Sequence, residues 1–124
     1  MAVILVVDDD KHFRGLIANL LEDWGHQTIE ADDGSSAKDV LEKSKVDLIF
    51  SDNHMPQLSG LALVNWVRNH YDKIVNTSTP FILATAYTTL VTEEQAFQAG
   101  ANEYLAKPID QDKLQNVIKK YIAV

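Results

Sequence analysis

The sequence predicts an α/β domain, five β–α units in succession folded as a doubly wound parallel sheet with helices on both faces. Three observations predict it. Short continuous apolar runs at residues 3–7, 46–50 and 81–84 suit strands covered on both sides. Between the runs lie apolar stripes at helical i, i+3, i+4, i+7 spacing. Most connections are short, as β–α units require.

Residues 3–7 form the first strand, and Phe13, Leu16, Ile17, Leu20, Leu21 and Trp24 mark the first helix, with Asp10 as its N-cap. Residues 27–30 are a weaker second strand, followed by a helix marked by Ala37, Val40 and Leu41. The third strand is 46–50, and Leu61, Val64 and Val67 mark the helix after it. Residues 69–80 read as a polar loop or a frayed helix end before the fourth strand at 81–84. Thr92-Glu93-Glu94-Gln95 resembles a capping box opening the fourth helix, which Gly100 closes. Residues 103–106 are the fifth strand. Asp110 then caps a last helix striped by Leu114, Val117, Ile118, Tyr121 and Ile122.

With 124 residues the chain suits one domain, 1–124, able to bury a core without staples. Cysteine is absent, which excludes disulfides and thiolate metal sites. No segment reads as a signal peptide or a membrane span, so the expected location is the cytoplasm. A formal net charge of -7, with scattered lysines and arginines, argues against direct nucleic-acid binding. No two histidines share helical i, i+3 or i+4 spacing, which leaves a zinc site unsupported.

The polar residues fall where such a sheet carries its sites, beyond the carboxyl ends of the strands. Asp8 and Asp9 follow the first strand, Asp52 the third, Thr85 the fourth and Lys107 the fifth. Taken singly, Asp8 and Asp9 read as a turn and helix cap, Thr85 as a hydroxyl bonding nearby backbone, and Lys107 as a solvated lysine. Taken together they make a site. Like charges at 4 Å repel by ~4 kcal/mol at an effective dielectric of 20. Three clustered carboxylates therefore call for a hard divalent cation, with Lys107 adding positive charge. Asp52 then suits a nucleophile toward a phosphoryl group, with Thr85 and Lys107 offsetting charge on its oxygens.

The stretches "ILVVDDD", "DLIFSDNHMPQLSG", "FILATA" and "AGANEYLAKP" resemble, in order and spacing, the receiver domain of two-component response regulators. The resemblance spans essentially the whole chain, and a stand-alone chemotaxis-type regulator is the nearest architectural likeness. It implies a flavodoxin-like (βα)5 fold with a five-stranded parallel sheet in order 2-1-3-4-5. It implies that Asp52 is the phosphoacceptor, charged by a sensor histidine kinase or a histidine phosphotransfer domain. It implies Mg²⁺, or Mn²⁺ in its place, bound by Asp9, Asp52 and the backbone carbonyl of His54, with Asp8 acting largely through water. Thr85 and Lys107 would hold the phosphoryl oxygens, and Gly60 would serve the loop after Asp52. Lys107-Pro108 is a candidate cis bond.

Tyr104 matches the family's switch aromatic, which turns inward as Thr85 moves toward the phosphoryl group and biases the surface of the fourth helix, fifth strand and fifth helix, where Glu94, Gln98 and Glu103 are the exposed candidates of the output face. His54 and Tyr87 occupy positions flanking the path of hydrolytic water. Tyr87 is expected to slow self-dephosphorylation; the His54 ring either bears on that rate or faces solvent. The implied protein is a phosphoacceptor switch rather than a separate enzyme, acting on a downstream protein as a monomer or a phosphorylation-dependent dimer. A small-molecule phosphotransferase is disfavoured because Asp52 is followed by Asn53 and His54, without a second acid two residues on. A purely scaffolding domain is disfavoured because all five site residue types are present.

Overall fold

In the computed structural model, residues 2–69 and 76–122 are described. They form β1 (Val3–Val7), α1 (Lys11–Asp23), β2 (Gln27–Ala31), α2 (Gly34–Lys43), β3 (Leu48–Asp52) and α3 (Gly60–Asn69). Then come β4 (Phe81–Thr85), α4 (Glu93–Ala99), β5 (Glu103–Ala106) and α5 (Gln111–Tyr121). The strands make one five-stranded parallel sheet in order β2-β1-β3-β4-β5. The fold is flavodoxin-like, and the order changes direction beside β1 and β3.

Alternation of side chains along the strands builds two cores. Leu5, Val7, Ile49 and Leu83 face α2, α3 and α4, packing on Leu41, Leu63, Val67 and Ala96. Ile4, Val6, Phe50 and Ile82 face α1 and α5, packing on Ile17, Leu21, Leu114 and Ile118. Both sides of β3 and β4 are buried, which is why those strands read as unbroken apolar runs.

The expected caps are present. Asp10 accepts the backbone N–H groups of His12 and Phe13, and Asp110 accepts that of Lys113. Thr92 and Gln95 form a reciprocal capping box. Gly100 ends α4 at φ +114°, a left-handed geometry that favours glycine.

The third strand differs from the expected 46–50. Val46 is buried, but its N–H goes to Asn76 Oδ1 at 2.9 Å instead of to a neighbouring strand. At the other end, pairing with β4 continues through Asp52 opposite Ala84, because ladder bonds are backbone bonds and tolerate polar side chains. Asp52 and Thr85 thus end their strands, whereas Asp8 and Lys107 follow theirs.

Of the expected loop at 69–80, residues 70–75 lie outside the described residues. After them, buried Asn76 donates to the carbonyls of Leu41 and Ser44 at 2.8 and 2.7 Å. It also accepts from Thr79 Oγ1 at 3.1 Å, which ties the approach to β4 to the end of α2. Arg68, in the last turn of α3, donates to the carbonyls of Gly100, Thr77 and Thr79 and to Asn102 Oδ1. One side chain so joins α3, the end of α4 and the approaches to β4 and β5. Among the described residues, no helix is long and apolar enough to cross a membrane.

Candidate functional site

β1 and β3 are paired neighbours in the sheet, so their carboxyl ends bring Asp8, Asp9 and Asp52 to one rim. One carboxylate oxygen from each lies within 4.8 Å of the others. Asp8 and Asp52 are buried and Asp9 is exposed, so the cluster is open to solvent on one side. Lys107 Nζ bridges the two buried members, at 3.1 Å from Asp8 Oδ2 and 3.0 Å from Asp52 Oδ1. Lys107-Pro108 is cis.

Burial sets the electrostatics. It pushes the Asp8 carboxyl above its ordinary range; the Asp10 N–H, 2.9 Å from Oδ1, pulls the other way, Asp52 adds to the rise and Lys107 opposes it. For Lys107, burial favours the neutral amine, but the hydrogen bonds and charges of Asp52 and Asp8 outweigh it and hold the ammonium above its usual range. The lysine is therefore a fixed cation between two acids.

The surrounding loops are pinned by contacts that the sequence pattern does not announce. Arg14 donates to the Asp8 carbonyl at 2.8 Å and pairs with Glu30 at 2.9 Å, fixing the β1–α1 turn. Asn53 Oδ1 accepts the Leu61 N–H at 3.0 Å, and its carbonyl accepts that of Gly60. Gly60 sits so close that an added Cβ would meet the Asp52 carbonyl oxygen and Leu83 Cδ1 at 2.5 Å each. Only glycine admits this approach of α3 to β3.

Thr85 is fully buried, and its hydroxyl accepts the Tyr87 N–H at 2.9 Å. The hydroxyl thus bonds nearby backbone, and its proton is left for donation. Tyr87 is 53 % exposed and packs edge-on against exposed His54, with ring centroids 4.3 Å apart. His54 therefore faces solvent and touches Tyr87 at once.

Tyr104 is half-buried and donates its hydroxyl to the Val91 carbonyl just before α4. Burial, then the charge of Glu93, pushes its phenol upward. Glu94 and Gln98 of the expected output face are exposed, but Glu103 is half-buried; it accepts the Tyr121 hydroxyl and pairs with Lys120 at 3.4 Å.

A family model for the response regulator receiver domain matches residues 4–119. The chain belongs to this family. It is 33% identical over 120 residues to the transcriptional regulatory protein ZraR of Escherichia coli; the match takes in 97% of this chain but only 26% of ZraR, so the chain spans about a quarter of that relative's length. It is 30% identical to the sporulation initiation phosphotransferase F of Bacillus subtilis, over 96% of this chain and 92% of that one. Among solved structures, the Vibrio cholerae chemotaxis protein CheY4 superposes with a TM-score of 0.87 at 29% identity, covering 98% of this chain and 99% of that one. The Thermotoga maritima response regulator TrrA, solved in complex with Mg²⁺ and BeF, gives 0.86 at 30% identity, covering 98% and 100%.

Receiver domains are the phosphoacceptor switches of two-component systems and bind Mg²⁺ at an aspartate cluster. The three clustered carboxylates fit such an ion: all donors are hard oxygens, and the exposed side at Asp9 leaves room for water ligands.

Proposed function

We propose that residues 1–124 act as one receiver domain in which Asp52 accepts a phosphoryl group from a phosphohistidine of a sensor kinase or phosphotransfer domain. One observation carries this reading: Lys107 Nζ spans Asp8 and Asp52 at 3.1 and 3.0 Å beside exposed Asp9. The arrangement sets three hard-oxygen donors and one ammonium at a single rim, two of the carboxylates buried and one exposed.

Asp52 attacks phosphorus, and the P–N bond to the donor imidazole breaks as the P–O bond forms. Lys107 follows the transferred group, exchanging part of its hold on Asp52 for a phosphoryl oxygen, and Thr85 donates its hydroxyl proton to another. Asp9, Asp52 and the His54 backbone carbonyl would hold Mg²⁺, or Mn²⁺, with Asp8 acting largely through water. Such an ion would supply a double positive charge against the phosphoryl oxygens. Tyr87, braced by His54, shields the acyl phosphate from water and slows its hydrolysis.

Once Thr85 turns to the phosphoryl group, the Tyr87 N–H loses its acceptor and the β4–α4 segment is released. Tyr104 then exchanges its bond to Val91 for an inward position, which alters the α4–β5–α5 surface offered to a downstream protein. The chain works as a monomer or as a dimer formed on phosphorylation, in the cytoplasm, with no direct nucleic-acid contact.

Intact-mass spectrometry after incubation with acetyl phosphate tests the chemistry. A single phosphoryl adduct is expected in wild type with Mg²⁺ and none without Mg²⁺ or in Asp52→Asn. An adduct that survives Asp52→Asn overturns the assignment.

A further inference from the structure

Lys107 has a third neighbour besides its two acids. Its Nζ lies 4.0 Å from the ring centroid of Phe13, in the first turn of α1. Phe13 also packs against Phe50 of β3, two residues before Asp52, with ring centroids 6.4 Å apart. The Lys107 side chain is only 18% exposed.

Resting on the reading of Asp52 and Lys107 given above, we infer that Phe13 is a positioning residue: its ring face holds the Lys107 ammonium at the rim when the carboxylates are claimed by a divalent cation. The same Asp8 and Asp52 that bind the lysine are two of the three clustered carboxylates. Any cation taken up there competes with Lys107 for their charge. An aromatic face attracts an ammonium but offers a hydrated divalent cation no carboxylate ligand, so the Phe13 contact survives when the acid contacts weaken. The ammonium then stays aimed at the place where phosphoryl oxygens arrive.

A leucine at this position keeps an apolar side chain against Phe50 but would not attract the cation. That separates the two roles. In the wild-type protein, the Lys107 ε-methylene NMR signal is expected upfield of the other lysines through the ring current of Phe13, and to remain so after Mg²⁺ is added. Phe13→Leu should slow phosphorylation by acetyl phosphate about threefold to tenfold, whereas Phe13→Tyr, which keeps the ring face, should stay within about twofold of wild type.

The inference falls if the wild-type shift is absent or disappears with Mg²⁺. It also falls if Phe13→Leu matches wild type, or if Leu and Tyr slow the reaction equally. The NMR reading uses wild-type protein, so a variant that folds poorly does not shelter the idea. The reading on which it rests fails separately, by an adduct in Asp52→Asn.

Discussion

The two ends of the rim are held in different ways. At β1, β3 and β5, Asp8, Asp52 and Lys107 are already joined by 3.0 and 3.1 Å ion pairs, and Arg14 and Asn53 pin the loops behind them. At β4 and α4, by contrast, Thr85 is engaged with its own loop through Tyr87, and Tyr104 holds Val91. Tyr87, Leu90 and Phe97 stand exposed there, at 53, 66 and 46 %. Preorganised charge is what a site needs to stabilise a transferring phosphoryl group. Single hydrogen bonds of modest net worth, about 0.5–1.5 kcal/mol each, are what a reporter needs, because they can be exchanged. On the proposed function, the first region would perform the chemistry and the second would register it.

The largest way to break this contrast is at the rigid end. Gly60→Ala forces a Cβ against the Asp52 carbonyl and Leu83. It should lower stability by about 1–3 kcal/mol, as overpacking does, and displace Asp52 enough to impair adduct formation. Urea unfolding and intact mass check both effects; an unchanged midpoint with full phosphorylation would show that α3 moves aside freely.

A smaller effect is expected where the regions meet. The His54–Tyr87 contact is an aromatic pair of the kind worth about 0.5–1.5 kcal/mol. Tyr87→Ala should accordingly raise the decay rate of the phosphoryl adduct by about twofold to tenfold. A decay rate that is unchanged or lower would remove Tyr87 from the path of water.

The smallest effect belongs to β5 and α5. Burial first, then the bond to Glu103 and its charge, pushes the Tyr121 phenol up to about 12. A raised acid is favoured in its neutral form by the fold. Its stabilisation is complete below the ordinary tyrosine range and is lost as pH rises from there through about 12. Ultraviolet titration should find late-ionising tyrosines, Tyr104 and Tyr121, of which the latest disappears in Tyr121→Phe, and the variant's stability deficit should shrink at high pH.

Much of the rim was legible because its chemistry comes from residue types at strand ends, where period and polarity change together. Asp8, Asp9, Asp52, Thr85 and Lys107 each sit at such a change. The long-range side-chain contacts of the fold were not legible. Arg14 reaches Glu30, Asn76 reaches Leu41, and Arg68 reaches Gly100 and Asn102, all side-chain bonds across long stretches of sequence with no periodicity to betray them. Phe13 reads only as part of a helical stripe, although its ring faces Lys107. The third strand was displaced for a related reason: Val46 is apolar for packing, and its N–H is spent on Asn76. Glu103, expected as an exposed output residue, is instead committed to Tyr121 and Lys120.

Amide hydrogen exchange with and without Mg²⁺ and beryllofluoride, a phosphoryl mimic, tests the division of labour most directly. The Asp10, Gly60 and Leu61 amides, bound to Asp8 and Asn53, should keep their protection on loading. The Tyr87 amide should exchange faster as Thr85 leaves it, and the segment around Val91 should change with it as Tyr104 turns inward. Loading that leaves the Tyr87 and Val91 region unaltered, or that loosens the rim instead, would contradict the account.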